Sequence, residues 1–240
     1  MNTAVQSLPH ADLTWTPGLV QEFWQHYAKN RQEDYFTNQF GARIIEVTRK
    51  YYEPSATVCD YGCGAGFLLS HILKSHRASG CDFTPQNIEA TRNRVGKMPN
   101  LMELFSVFDA AQTNRQFDVI YVVETIEHVL ENDLDSFFQT LSKFLKPNGV
   151  VIATTPNEED MQASTVYCPC CKHSFHRWQH LRQFDAEKVT AFMSKGGFTA
   201  QKVFTTDFAA KTYKAQLKAA LRPMLGRKNP HLVYIGRKIG

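Results

Sequence analysis

The segment FDVIYVVET (117–125) carries an unbroken apolar run from Val119 to Val123. Such a run suits a strand covered on both faces, which is the habit of a parallel sheet flanked by helices. The chain around it repeats the theme. ATVCDY (56–61), ASGCDF (78–83), LMELFSVFD (101–109), GVVIATT (149–155), FTAQKVFTT (198–206) and HLVYIGRK (231–238) read as further strands. Helices are expected between them. GFLLSHILKSH (66–76) is one, and Thr84-Pro85 is the N-cap and first-turn proline of a second reaching about Lys97. Phe137, Phe138, Leu141, Phe144 and Leu145 form a helical stripe within 134–145. Ala186–Lys195 has Asp185 as its cap and Gly196-Gly197 as its stop. In the first 50 residues Phe23, Trp24 and Tyr27 share one helical face, and Ile44, Ile45 and Thr48 repeat the spacing. The alternation predicts an α/β fold with helices on both faces of a parallel sheet.

A chain of 240 residues, 43% apolar and 21% charged, has enough material for one such domain. It can bury roughly 70–75% of its unfolded surface without disulfides. No run of 18 apolar residues exists, which excludes a transmembrane helix. The start, MNTAVQSLPH, lacks a basic-then-apolar leader, so a cytoplasmic protein with reduced cysteines is expected. The net charge of +4 hides an asymmetry: from Lys211 onward there are eight Lys/Arg and no Asp/Glu.

VCDYGCGAG (58–66) joins a strand to a helix, and Gly62, Gly64 and Gly66 let the backbone turn tightly and approach a ligand. The G-x-G-x-G spacing differs from the dinucleotide fingerprint. Asp60 before it disfavours pyrophosphate and favours a ligand carrying a cation. Asp82 ends the second strand, where a carboxylate can accept ribose hydroxyls. Asp109 ends the third, where a carboxylate can receive an adenine amino group. The pattern resembles class I S-adenosylmethionine-dependent methyltransferases. DYGCGAG looks like their glycine motif, CDFTPQNIEAT their second-strand acidic motif, FDVIYVVETIEHV their fourth strand and LKPNGVVIATTPN their fifth, over roughly residues 40–205. The resemblance implies a Rossmann-like, doubly wound, seven-stranded sheet, mostly parallel with a reversed last strand. It implies S-adenosylmethionine held by Asp60, Gly62, Cys63, Gly64, Gly66, Asp82, Phe83, Asp109 and Glu124. Residues 1–50 would be a helical cap, with Trp24, Tyr27, Tyr35 and Phe36 as cover residues, and 51–240 the methyltransferase domain.

Glu124-Thr-Ile-Glu127-His128 begins where the fourth strand meets the ligand rim. One helical turn there would bring Glu124, Glu127 and His128 to one face. His128 is the natural general base for a hydroxyl acceptor, with Glu124 or Glu127 orienting it. The segment is similar to that of ubiquinone-pathway O-methyltransferases. It is also similar to that of small-RNA 3′-end 2′-O-methyltransferases, where two Glu and two His bind a divalent metal; His180 would be the fourth ligand here.

After the fifth strand, the insertion 156–182 carries Cys168, Cys171, His176 and His180 as C-x2-C-x4-H-x3-H, a candidate structural zinc site. Cys170 and His173 are spare donors, and His180 cannot serve both metals. FWQHYAKN and EDYFTNQFG before the glycine motif, with TTPNEED, CPCC and FHRWQH after it, resemble a bacterial subgroup of small-molecule methyltransferases of surface-glycan or secondary-metabolite pathways. The stretch 209–228 reads as a basic amphipathic helix, with Lys211, Lys214, Lys218 and Arg222 on one face and Tyr213, Leu217 and Leu221 on another. Its apolar face is expected to pack on the domain, with an anionic membrane or nucleic acid as the other occupants. The chain is therefore expected to O-methylate a small-molecule or glycan-type acceptor. A metal-dependent RNA 2′-O-methyltransferase and a non-catalytic, zinc-organised or S-adenosylmethionine-binding protein are the rivals.

Overall fold

The computed structural model describes residues 11–112, 115–210 and 212–238, without the side chains of 110–112 and 223. Residues 1–10 of the expected cap and Lys211 of the basic segment lie outside the described residues. The chain begins with a short β1 (Ala11–Asp12), α1 (Pro17–Asn30) and α2 (Phe36–Thr48). Alternation follows: β2 (Val58–Tyr61), α3 (Phe67–Ile72), β3 (Ala78–Asp82), α4 (Pro85–Val95), β4 (Leu101–Ser106), β5 (Phe117–Val123), α5 (Leu134–Phe144) and β6 (Leu145–Pro156). The insertion forms a hairpin, β7 (Thr165–Cys168) and β8 (His173–His176), and the chain ends with α6 (Ala186–Lys195), β9 (Phe198–Thr206), α7 (Tyr213–Leu221) and β10 (His231–Lys238).

The seven-stranded sheet has the order β4-β3-β2-β5-β6-β10-β9. Neighbours from β4 to β6 pair in parallel, and β10 runs antiparallel to both β6 and β9. This is the expected Rossmann-like sheet with a reversed last strand. A separate three-stranded sheet, β1-β8-β7, ties the N-terminal segment to the insertion.

The strands are apolar throughout because both faces are covered. Alternate residues Ile120, Val122, Val151 and Ala153 pack with Phe137, Leu141, Phe144, Val189 and Met193 of α5 and α6. The intervening Val119, Tyr121, Val150 and Ile152 pack with Ile44 of α2 and with Leu68, Leu69 and Ile72 of α3. Thus α2 belongs to the helical layer of the domain itself. Full burial of a Leu, Ile or Phe side chain stabilises by about 1.5–3 kcal/mol, so these two layers dominate the fold.

Local signals set the helix ends. Thr84 caps α4 by accepting from the Asn87 N–H, and Asp185 caps α6 by accepting from the Lys188 N–H. The chain adds β3 and β4 on one side of β2, then crosses to place β5 on the other. The crevice between the ends of β2 and β5 is the switch point where such sheets bind ligands.

Candidate active site

A cavity of about 420 Å³ opens at that switch point, within the size range of small-molecule sites. At one end it is lined by Tyr61, Gly62, Cys63, Gly64, Asp82, Phe83 and Asn87. Gly62 and Gly64 have φ of 75° and 53°, in the left-handed region. A Cβ on Gly62 would lie 2.9 Å from Thr125 Oγ1, and one on Gly64 would lie 2.7 Å from Tyr35 Cε1. Glycine is required at both for conformation and for space. Asp82 ties the loop to α4. Its Oδ2 accepts from the Gly64 N–H at 3.0 Å, and its Oδ1 accepts from Thr84 N–H, Thr84 hydroxyl and Asn87 Nδ2 at 2.9–3.0 Å. The Tyr35 hydroxyl donates to Asn87 Oδ1 at 2.8 Å, so its ring closes over Gly64.

Asp60 is not on the cavity wall. It is buried beneath the loop, and its Oδ2 has no hydrogen-bond partner. Burial first, then the Asp82 charge, push its carboxyl up to about 7. The fold therefore keeps a proton that the unfolded chain releases near 3.8. Asp60 accordingly lowers stability progressively as pH rises from about 4 to 7. Asp60→Asn is expected to melt a few degrees above the wild type at pH 8 and close to it at pH 4. Thermal unfolding at both pH values checks this, and equal melting at pH 8 would contradict it.

The other end of the cavity is lined by Glu124, His128, Glu159, Trp178 and His180, with Trp24, Tyr27, Phe36 and Phe40 above. The expected helical turn after β5 is not formed. Glu124 instead adopts φ 46°, and an irregular turn follows in which His128 N–H bonds the Thr125 carbonyl. The three residues stay close together but do not share one face. Glu124 and His128 face the cavity, while Glu127 is 1% exposed behind them. Glu124 accepts from the Thr154 hydroxyl at 2.8 Å, and burial pushes its carboxyl up to about 8. Neither oxygen of Glu127 makes a well-formed hydrogen bond, although Thr155 is near enough to favour its charged form. Burial, then the Glu124 charge, drive its carboxyl well above the usual range.

His128 Nδ1 lies 3.3 Å from the Gln179 carbonyl, to which it donates. Its ring lies 4.9 Å from Trp24 and 4.9 Å from His180. Burial, then the neighbouring His180, hold its pKa well below 6.5, so the imidazole is neutral at pH 7. Gln179 closes the lid: Trp24 Nε1 donates to its Oε1 at 3.0 Å, and its Nε2 donates to the His128 carbonyl at 3.0 Å. Glu159 sits beside His176 and His180. Its Oε2 is 2.5 Å from His180 Nδ1 and its Oε1 is 3.2 Å from His176 Nε2. Burial works against its charge, but the His180 hydrogen bond and both imidazoles hold it below the usual carboxylate range. Glu159, Gln179 and Trp178 were not among the residues expected from the sequence, and no local motif marks them.

Several expectations need correction. Gly66 is the left-handed cap of α3, and a Cβ there would meet Thr91 rather than the cavity. Asp109 is exposed and off the cavity wall, because β4 stops at Ser106 and a 3-10 turn carries the chain away; Val107 lines the wall instead. Cys168, Cys171, His176 and His180 do not converge. The hairpin pairs Cys168 with His173 and Thr165 with His176. Cys168 and His176 therefore stand at opposite ends of it, about 10 Å apart along the strand. Cys170 and Cys171 are exposed at the tip, and their backbone N–H groups lower the Cys168 thiol pKa. One tetrahedral zinc cannot take the expected four ligands.

Two other groups bring possible metal ligands within 4.8 Å of one another: Glu127 with His128 and His180, and Glu159 with His176 and His180. The second fits a metal poorly. His176 Nδ1 accepts from the Trp178 and His180 N–H groups, so its proton sits on Nε2, the nitrogen facing Glu159.

A family model described as a methyltransferase domain matches residues 27–203. Among similar curated proteins are ubiquinone biosynthesis O-methyltransferases. That of Rickettsia bellii is 28% identical over 122 residues, 48% of each chain. That of Pelagibacter ubique is 36% identical over 104 residues, 41% of each. The chain spans about half the length of the Rickettsia relative. Among solved structures, Burkholderia thailandensis 1,6-didemethyltoxoflavin-N1-methyltransferase, with its substrate and S-adenosylhomocysteine bound, has a TM-score of 0.62 at 15% identity and covers 100% of this chain and 99% of that one. The Bradyrhizobium japonicum N-methyltransferase NodS, in complex with S-adenosylhomocysteine, has a TM-score of 0.60 at 15% identity and covers 92% and 99%. With the glycine loop, its Asp82 tether and this sheet already in place, the match over residues 27–203 assigns the chain to the methyltransferase-domain family, as a class I S-adenosylmethionine-dependent methyltransferase.

Proposed function

We propose that the chain moves the methyl group of S-adenosylmethionine to a hydroxyl of a small-molecule or glycan-type acceptor, with His128 taking the hydroxyl proton. The observation that carries this reading is the His128 imidazole on the cavity wall, anchored through Nδ1 at the Gln179 carbonyl, in surroundings that favour its neutral form. The acceptor oxygen attacks the methyl carbon, the carbon–sulfur bond breaks and sulfur keeps the electron pair. The proton goes to the imidazole Nε2, the nitrogen that does not face Gln179. The aromatic lid of Trp24, Tyr27 and Tyr35 excludes water and holds donor and acceptor in line. Similarity to O-methyltransferases supports oxygen as the nucleophile. Incubation with methyl-labelled donor and separate pools of phenolic, sugar and amine acceptors tests it. Label is expected in the hydroxyl pools; incorporation confined to amines would contradict it.

A second reading is favoured by one observation: the buried, incompletely satisfied Glu127 carboxyl brings a ligand atom within 4.8 Å of those of His128 and His180. A divalent metal held by Glu127, His128 and His180 would satisfy it. The Nδ1 contacts of His128 with Gln179 and of His180 with Glu159 are the outer contacts that orient metal-bound imidazoles. When bound, such a metal would lower the pKa of a coordinated hydroxyl. Calorimetric titration of chelator-treated protein with manganese or cobalt separates the readings. The metal reading predicts about one site per chain, lost in Glu127→Gln. No binding leaves His128 as a metal-free base.

A further inference from the structure

The outer face of α7 plays no part in the methyl-transfer site. Thr212 caps the helix by accepting from the Ala215 N–H at 3.3 Å. One edge is fastened to the domain: Ala219 is buried, Asn229 Nδ2 donates to its carbonyl at 3.1 Å, and Arg222 pairs with Asp207 at 2.8 Å. The expectation that the apolar face packs inward is not met. Tyr213, Leu217, Leu221, Met224 and Leu225 are 43–82% exposed. Tyr213, Leu217 and Leu221 are spaced four apart along α7, and Met224 and Leu225 follow in the 3-10 turn after it. Beside it, Lys214, Lys218 and Arg227 are exposed and make no ion pair among the described residues. No acidic residue occurs from 211 to 240.

We propose that α7 and the turn after it dock on an anionic lipid surface, the apolar stripe entering the headgroup boundary and the cations meeting lipid phosphates. Both halves of the pattern are then used. A polyanion such as nucleic acid would engage the lysines and leave five apolar side chains in water. A symmetric contact between two copies would bring the lysine stripe against itself. The surface also adjoins the site: Asn229, which holds α7, is followed by Pro230 and His231 of the cavity wall. An amphipathic acceptor could then enter from the bilayer interface. That last step rests on the methyl-transfer reading, whereas lipid docking does not.

Co-sedimentation of the full chain with vesicles tests the proposal, with donor affinity measured on each sample. The wild type is expected to bind vesicles of phosphatidylcholine with phosphatidylglycerol, to bind phosphatidylcholine alone weakly, and to be released by salt. Leu217→Glu/Leu221→Glu/Met224→Glu is expected to bind at least about tenfold more weakly. Lys214→Glu/Lys218→Glu is expected to lose the preference for anionic vesicles. Donor affinity should be unchanged in both. If the triple variant misfolds, Leu217→Glu and Met224→Glu singly carry the test. Failure of the wild type to bind anionic vesicles, or undiminished binding by the apolar variants, would overturn the proposal. So would a dimer that those variants split, or RNA binding lost in the lysine variant without any vesicle binding.

Discussion

Replacing His128 with alanine is expected to reduce methyl transfer by about 10²–10⁴-fold while leaving S-adenosylmethionine affinity within about twofold. The argument is one of position. The residues proposed to hold the donor are at the glycine loop and Asp82, whereas His128 lines the same cavity beside His180 and Glu159. Because alanine also leaves a gap under Trp24, His128→Asn is the sharper variant. Its amide can still donate to the Gln179 carbonyl, but it has no basic nitrogen. Loss of transfer in both variants with intact donor binding supports the base role. Near-normal transfer in His128→Asn would remove it. The pH dependence is also specified. Burial and the neighbouring His180 hold the folded pKa of His128 well below 6.5, so the base is already deprotonated there. The acid limb of the rate profile should fall below pH 6.5 rather than at it.

Replacing Asp82 with alanine is expected to lower both stability and donor affinity. Four donors, from Gly64, Thr84 and Asn87, converge on one carboxylate that is 3% exposed. Alanine leaves them without an acceptor in a buried place, at about 1–3 kcal/mol for each that finds no other partner. A net loss of about 3 kcal/mol would lower the melting temperature by about 6–12 °C in a chain of this size. Donor affinity should fall further than the stability change explains, since Gly64 is no longer held in its left-handed conformation. Calorimetric titration at a temperature where the variant remains folded separates the two effects. Unchanged affinity there would show that neither Asp82 nor the Gly64 conformation it holds contributes to donor binding.

What the sequence reveals here depends on how local the causes are. Thr84, Pro85 and Asp185 act on the backbone three residues away, so their helices are legible. The strands are legible because burial on both faces leaves apolar runs. The glycine loop is legible because its conformation is written into three residues. The acceptor end is different. Trp24 meets Gln179 across 155 positions and His128 meets it across 51. Glu159 reaches His180 across 21 and has no motif of its own. The Cys/His cluster is misread because linear spacing ignores a hairpin that reverses the chain between Cys168 and His173. Asp109 is misread because β4 ends three residues earlier than its apolar pattern implies. The amphipathic pattern of α7 is real, yet amphipathicity cannot say whether the apolar face meets the domain or something outside it.

This methyltransferase is proposed to deliver its methyl group to oxygen beside His128. The most direct measurement is the carbon-13 spectrum of the product formed from ¹³C-methyl S-adenosylmethionine, with the wild type and His128→Asn run in parallel. A methoxy resonance is expected with the wild type and none with the variant. An N-methyl or C-methyl resonance, or a methoxy signal undiminished by the substitution, would contradict it.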